Sequence, residues 1–260
     1  MKILCLGDVV GKPGVQALRA FLPKWREELE ADAVIVNGEN SSMGCGNGLT
    51  PDDAQMLFAA GADVITGGNH SFRQRSVYTM LDDSISILRP ANYAGAAPGR
   101  GYTLFSAAGR ILLVINISGR VNMDPCACPF ETCRKILERE KGNYDAAIVD
   151  CHAEATSEKF ALAYDLKNDV SVFFGTHTHV PTADEQILPP GCGFITDVGM
   201  CGPSHSALGV KTEVIVQKMK TGLPAKFELS ENPVVLQGAL FTLSDRDYRC
   251  TEVRRVALQT

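Results

Sequence analysis

The chain holds five histidines among 260 residues, and four of them stand in short polar clusters that follow apolar runs. Gly7–Asp8 follows "KILCL", "NGEN" spans Asn37–Asn40, "GGNH" spans Gly67–His70, "DCH" spans Asp150–His152, and "GTHTH" spans Gly175–His179. Carboxylates, amides and imidazoles together form the mixed oxygen and nitrogen donor set that iron, manganese and zinc accept. The paired histidines of "HTH" add weight, because alternate residues of an extended segment face the same way. Taken singly, each residue has a plainer reading. Asp8 could cap a following helix, Asn40 and Asn69 are ordinary turn residues, and a lone histidine is most often a hydrogen-bonded core or surface group. Recurrence of the pattern along one chain points instead to one shared site.

The elements that would carry these clusters are legible from periodicity. Strand-like runs "KILCL", "AVIVN", "DVIT", "RILLVINI", "DAAIVD" and "VSVFFG" alternate with helix-like segments. The helical spacing of Ala17, Leu18, Phe21, Leu22, Trp25 and Leu29 predicts a helix over Val15–Glu30. A second is predicted over "TPDDAQMLFAAG", capped by Thr50, with Pro51 in its first turn and Gly61 as its stop. Further helices are expected around Glu131–Glu140 and over "EKFALAYDLK". This alternation predicts an α/β fold with a largely parallel sheet, whose strand carboxyl ends gather ligands on one edge. After about Gly193 the helices are expected to stop. There "FITDVG", "TEVIVQKM", "AKFELS", "VLQGALFTLS" and "TEVRRVAL" read as strands. No repeat or linker divides the chain, so residues 1–260 are read as a single domain, β-α-β-rich to about residue 190 and strand-rich beyond.

The first cluster has a rival reading. "GDVVGKPG" approximates a phosphate-binding glycine loop, which needs G-x-x-x-x-G-K-[ST]. Here Gly7 and Gly11–Lys12 are one residue too close, and Pro13 replaces the magnesium-binding hydroxyl. The alternative makes Asp8 the functional residue and Lys12 a surface group.

In order, the clusters resemble those of the calcineurin-like metallophosphoesterases, whose pattern runs D-x-H, G-D-x-x-D, G-N-H-[DE], a lone His and G-H-x-H. Val10 stands in place of the first histidine, Glu39 in place of the bridging aspartate, Ser71 in place of the acid, and Thr176 separates Gly175 from His177. These departures resemble the YmdB-type subgroup, through "GDVVG", "NGEN", "GGNH", "HAEATSEK" and "GTHTHVPTAD". The later "DVGMCGPSHSALG" is also similar, with Cys201 and His205 atypical.

The resemblance implies a layered sandwich of mixed sheets flanked by helices, and a phosphodiesterase acting on 2′,3′-cyclic nucleotides. It implies two metal ions bridged by Glu39. Asp8, Asn40 and His179 would complete one site, and Asn69, His152 and His177 the other. Two cations roughly 3.5–4 Å apart clamp a phosphate and acidify the attacking water. Replacing an imidazole by the Asn40 amide hardens the site and favours iron or manganese, with zinc or magnesium as alternatives. His70 adjoins Asn69 without being needed as a ligand. It is expected to protonate the leaving oxygen, a role suited to imidazole near neutral pH; the plainer reading is a group that orients a ligand.

Other residues carry less. Glu154 could orient His152 or cap the helix after it. Arg120 could touch a phosphate or be a solvated loop residue, and His205 could line the cleft. Cys126, Cys128 and Cys133 fall short of the four ligands of a structural zinc site.

Composition sets the remaining bounds. Hydrophobic residues make up 45%, and the formal net charge is −5, which disfavours nonspecific binding to nucleic acid or membranes. No apolar run approaches the ~18 residues of a membrane span. Nine scattered cysteines and no signal segment lead us to expect reduced thiols in the cytoplasm. A homo-oligomer remains open. The rival functions are a phosphomonoesterase on the same centre and a regulatory protein that binds a cyclic nucleotide or RNA end with incidental turnover.

Overall fold

The computed structural model describes residues 1–44, 46–231 and 233–260. Its strands are β1 (Lys2–Leu6), β2 (Asp8–Val9), β3 (Ala33–Asn37), β4 (Val64–Thr66), β5 (Tyr102–Ala107), β6 (Arg110–Ser118), β7 (Ala146–His152), β8 (Val172–Thr176), β9 (Gln186–Leu188), β10 (Cys192–Ile195), β11 (Met200–Pro203), β12 (Val234–Leu243) and β13 (Cys250–Gln259). The helices are α1 (Gly11–Leu29), α2 (Pro51–Ala59), α3 (Tyr78–Asp83), α4 (Pro129–Arg139), α5 (Thr156–Leu166) and α6 (Thr212–Thr221).

Two mixed sheets result. One has the order β2-β11-β12-β1-β3-β4 with β13 added on β12; the other runs β5-β6-β7-β8-β10-β9. The strands that carry the polar clusters are parallel within each sheet: β1 beside β3 beside β4, and β6 beside β7 beside β8. Parallel strands need both faces covered, and side-chain alternation supplies this. Ile3 and Cys5 of β1 pack between the sheets with Val114, Ile148 and Phe174 of the other sheet. Leu4 and Leu6 turn outward, into a core with Leu18, Leu22 and Trp25 of α1. On the far side, Leu113 and Ile115 pack against Ile136 of α4 and Leu162 of α5. The layers are therefore helix, sheet, sheet, helix, the sandwich that the family resemblance implies, with two mixed sheets where the alternation alone predicted one largely parallel sheet.

Several sequence expectations are met locally. Thr50 caps α2 through a reciprocal bond with Asp53, with Pro51 in the first turn. α1 begins earlier than its apolar spacing suggests, at Gly11. Others are corrected. "TEVIVQKM" is not a strand but the body of α6, closed by left-handed Gly222. A short run of β-branched residues satisfies both periods, and the glycine stop decides for the helix. Helices therefore do not end at Gly193. "AKFELS" lies outside the named strands and has only an isolated bridge, between Leu229 and Val210. β5, which runs antiparallel along the edge of β6, and the short α3 carry too little periodicity to be read in advance.

Close approach of backbones requires glycine where β1 ends. A Cβ on Gly7 would overlap the Gly199 carbonyl, which accepts a hydrogen bond from the Asp8 amide at 3.2 Å. Gly7→Ala should therefore destabilise the protein by about 1–3 kcal/mol, the usual cost of overpacking, measured by urea unfolding. An unchanged midpoint would show that β1 and the Gly199 turn can separate freely.

Candidate metal centre

The carboxyl ends of β1, β3 and β4 from one sheet, and of β7 and β8 from the other, meet along one edge. That edge brings together Asp8, Glu39, Asn40, Asn69, His70, His152, His177 and His179. His152 Nε2 is the hub of one half. It lies 3.0 Å from Asn69 Oδ1, 3.1 Å from Glu39 Oε1 and 3.1 Å from His177 Nδ1. Metal–ligand bonds of roughly 2.0–2.2 Å separate neighbouring donors by about 3 Å, so this spacing suits a shared cation. Among the described residues, Glu39, His152 and His177 form the one group of His, Cys, Asp or Glu donors close enough to do so.

In the other half, Asp8 Oδ1 lies 3.6 Å from His179 Nε2. The Asn40 amide nitrogen faces His179 Nε2 at 3.2 Å, Glu39 Oε1 at 3.2 Å and Asp8 Oδ1 at 3.5 Å. Its oxygen meets His70 Nδ1 at 2.7 Å. Ligation by Asn40 would need its Oδ1 to swing toward the carboxylates.

The tautomers are set from behind. The Thr176 hydroxyl donates to Asp150 Oδ1 at 2.8 Å, so it accepts from His152 Nδ1 at 2.9 Å. The proton is thereby held on Nδ1, and the Nε2 lone pair faces the cluster. His179 donates from Nδ1 to the Leu208 carbonyl at 3.1 Å, which likewise frees its Nε2. His177 turns Nδ1 inward, and its Nε2 meets Glu154 Oε2 at 3.1 Å. Glu154 therefore orients His177. It neither orients His152 nor caps α5, whose N-cap is Ala155 without a side-chain bond.

The electrostatics are those of an acidic cluster. Burial pushes the Asp8 carboxyl up, but His179, His152 and the His177 amide outweigh it and hold Asp8 well below the usual carboxylate range. Burial opposes charge on His152 as well, yet Glu39 and Asp8 raise its pKa to about 9. His179 is raised against its burial by Asp8. His177 is lowered to about 4 by burial and by His152. Burial also lowers His70, only partly countered by Glu39, so His70 is neutral near pH 7 rather than poised at its unperturbed value. An anionic pocket that raises the pKa of His152 and His179 is one in which divalent cations would compete with protons for their Nε2 atoms. The donor set therefore fits metal ions.

Sequence reasoning missed the residues behind the donors. Asp150, raised to about 6 by burial, accepts bonds from Thr66 and Thr176. Asn37 Nδ2 reaches Gly67 O, Asp150 and Thr176 at 3.2–3.3 Å. Asn116 clasps Gly67 through its amide and carbonyl, both at 3.1 Å. Asn37, Thr66, Asp150 and Thr176 lie at or near the ends of the apolar runs already noted, and that position was the available signal. Lys159 gave none, since it sits inside a predicted helix. Fully buried, it donates to the Thr176 carbonyl and to Asp197 Oδ2, both at 2.9 Å. Asp197 in turn accepts from the Thr178 and Gly199 amides at 3.1 and 2.9 Å. This pair grips the loop in which His177 and His179 adopt positive φ, 100° and 62°, a conformation costly for such side chains.

The weaker candidates fall away from the centre. Arg120 is exposed, with its amide bound to Glu158 at 3.0 Å. His205 lines an open hollow with Ser204, Ser206, Thr212 and Pro233. Cys133 is buried in the outer core, and Cys126 Sγ meets Asn92 Nδ2 at 3.1 Å. Lys12 is exposed at the start of α1. Cys45 lies outside the described residues, and the other eight cysteines are free. No helix is long and apolar enough to cross a membrane among the described residues.

Lys159→Met strands Asp197 as a buried lone charge and should cost about 3–5 kcal/mol by urea unfolding. Adding Asp197→Asn should recover part of that loss. Wild-type stability in the single variant would show that the pair does not hold the loop.

The profile of the YmdB-like protein family matches residues 4–256. A Bacillus subtilis (strain 168) protein named 2′,3′-cyclic-nucleotide 2′-phosphodiesterase is 38% identical over 258 residues, covering 99% of this chain and 97% of that protein. The crystal structure of a Mycoplasma pneumoniae protein described as a novel phosphatase superposes with a TM-score of 0.93 at 32% identity, over 100% of this chain and 93% of that one. In fold alone, a 5′-nucleotidase precursor from Thermus thermophilus aligns with a TM-score of 0.60 at 14% identity, over 100% of this chain and 54% of that one. With its strand-end clusters, its sandwich of two sheets and a profile match over nearly its whole length, the chain belongs to the YmdB-like family, on a metallophosphoesterase fold.

Proposed function

We propose that this protein is a metal-dependent phosphodiesterase that opens 2′,3′-cyclic nucleotides at the 2′ oxygen, leaving a 3′-phosphate. The observation that carries the reading is the convergence of Glu39, Asn69 and His177 on His152 Nε2 at 3.0–3.1 Å. The name of the Bacillus subtilis relative supports the substrate class. In this reading Glu39 would serve two cations, one held with Asp8, Asn40 and His179, the other with Asn69, His152 and His177. Iron or manganese suits this oxygen-rich donor set. When bound, the cations supply Lewis-acid charge to the phosphate and acidify the attacking water. A reducing compartment such as the cytoplasm agrees with the eight free thiols.

The chain's own residues do the rest. The carboxylates and imidazoles fix the cations at the mouth of a rigid two-sheet edge, where the phosphate is presented in one orientation. To act as an acid His70 would be the imidazolium: its Nδ1–H meets the Asn40 amide oxygen at 2.7 Å, and the proton it gives up is on Nε2. The His70 side chain is 26% exposed, so Nε2 can deliver that proton to the departing 2′ oxygen. A bound phosphate beside the ring favours its charged form and offsets the effect of burial.

A phosphomonoesterase on the same centre is the second reading, favoured by the description of the Mycoplasma pneumoniae structure as a phosphatase. Turnover of 2′,3′-cyclic AMP, bis-p-nitrophenyl phosphate and p-nitrophenyl phosphate separates the two. The diesters should be preferred, and hydrolysis of the monoester alone would contradict the proposal. Glu39→Gln should abolish turnover of every substrate, and retained activity would remove the bridge. His70→Ala should slow 2′,3′-cyclic AMP hydrolysis by about 10²–10⁴-fold. It should affect bis-p-nitrophenyl phosphate far less, because nitrophenolate leaves without a proton. Equal losses on both substrates would exclude His70 as the acid.

A further inference from the structure

The turn that follows His70 is anchored step by step. Ser71 Oγ accepts from the Gly68 amide at 3.0 Å, and the Arg73 amide donates to the His70 carbonyl at 3.0 Å. The Phe72 ring turns back into the body, meeting Tyr78 edge-on at 5.9 Å between centroids and Tyr93 at 6.1 Å. Its carbonyl accepts from the Tyr78 hydroxyl at 2.9 Å. Gln74 is extended, and its side-chain amide donates to the Asn47 carbonyl at 2.9 Å. On either side of that inward anchor, Arg73 and Arg75 are exposed. Among the described residues neither guanidinium forms an ion pair, whereas Arg26, Arg134 and Arg255 do. Arg73 stands close enough for its charge to act on the His70 ring.

A chain of net charge −5 therefore sets two uncompensated cations, on a fixed turn, just past the residue assigned to the leaving oxygen. A nucleoside 2′,3′-cyclic phosphate gives them nothing to bind. Its one negative charge is on the reacting phosphate, which belongs to the metal centre. With His70 at the 2′ oxygen, the ribose lies on the His70 side of the cleft. The next anionic group on that side is a phosphate carried by the 5′ oxygen. Guanidinium groups match phosphate with paired N–H donors, and such contacts position a strand without reading its bases.

We propose that Arg73 binds the 5′ phosphate of the nucleotide whose cyclic phosphate occupies the centre, and that the substrate is the 3′ end of an RNA strand. The inference rests on the phosphodiesterase reading above and names its substrate. In a strand, that 5′ phosphate is the diester to the preceding nucleotide, and Arg75, two residues further along the turn, meets the phosphate before it. A free nucleotide with a 5′ monophosphate would use Arg73 and leave Arg75 without a role.

Measurement of kcat/KM on four substrates tests this: adenosine 2′,3′-cyclic phosphate, its 5′-phosphorylated form, and the di- and triadenylates that end in the same cyclic phosphate. The wild type should prefer the 5′-phosphorylated form and the dinucleotide to the nucleoside by about tenfold, and the trinucleotide by more. The preference should shrink as salt screens the contact. Arg73→Gln should treat the nucleoside, its 5′-phosphorylated form and the dinucleotide alike, and Arg73→Lys should recover part of the difference. Arg75→Gln should remove only the extra gain of the trinucleotide. Binding of labelled triadenylate 3′-phosphate, the product, should weaken about tenfold in Arg73→Gln. Equal kcat/KM for nucleoside and dinucleotide in the wild type, or a preference that survives Arg73→Gln, overturns the proposal and leaves the phosphodiesterase reading standing. A preference for the 5′-phosphorylated mononucleotide that the dinucleotide does not share overturns the RNA end as substrate. Failure to hydrolyse any of the four overturns the phosphodiesterase reading, and the inference with it.

Discussion

Two buried carboxylates, Asp8 and Glu39, face one cleft, and each raises the cost of charge on the other. Carboxylates in that position need positive charge beside them, since burial of an unpaired anion is prohibitive. Much of the surrounding structure follows from this need. Imidazoles approach from the opposite sheet. Threonine hydroxyls and a buried aspartate hold the His152 tautomer. A buried lysine pairs with Asp197, so that the loop carrying His177 and His179 is tied down without adding a free charge. The sandwich matters because it aims the ends of two sheets at one point from opposite sides.

Val10 stands where the resemblance to the calcineurin-like pattern would put a histidine. Val10 is 3% exposed, and a Cβ placed on Gly202 or Gly209 would run into its side chain. An imidazole there would meet the same backbones. Asn40 approaches the same carboxylates from the neighbouring strand end, and its short amide fits beneath His70. In the proposed site an amide at 40 would stand in for an imidazole at 10.

The candidate donors were legible because each sits where an apolar run stops, a one-dimensional signal that parallel sheets convert into a three-dimensional cluster. The fold class followed from the same alternation. What stayed hidden depends on partners far apart in sequence. Lys159 looks like an ordinary helix lysine until α5 packs it under the β8 loop. Glu154 looks like a helix cap, but the chain turns it toward His177. α6 reads as a strand in one dimension because "TEVIVQKM" has a pattern that serves either period, and the helix shows itself only in the left-handed turn at Gly222 that closes it.

The central claim is that these buried anions are arranged to hold two cations. Anomalous diffraction from crystals of the protein, collected at the iron and manganese edges, tests it most directly. The account predicts two peaks, one among Glu39, Asn69, His152 and His177, the other among Asp8, Glu39, Asn40 and His179. A fully active protein whose crystals show no anomalous peak at this edge, and whose solutions contain no metal by elemental analysis, would contradict it.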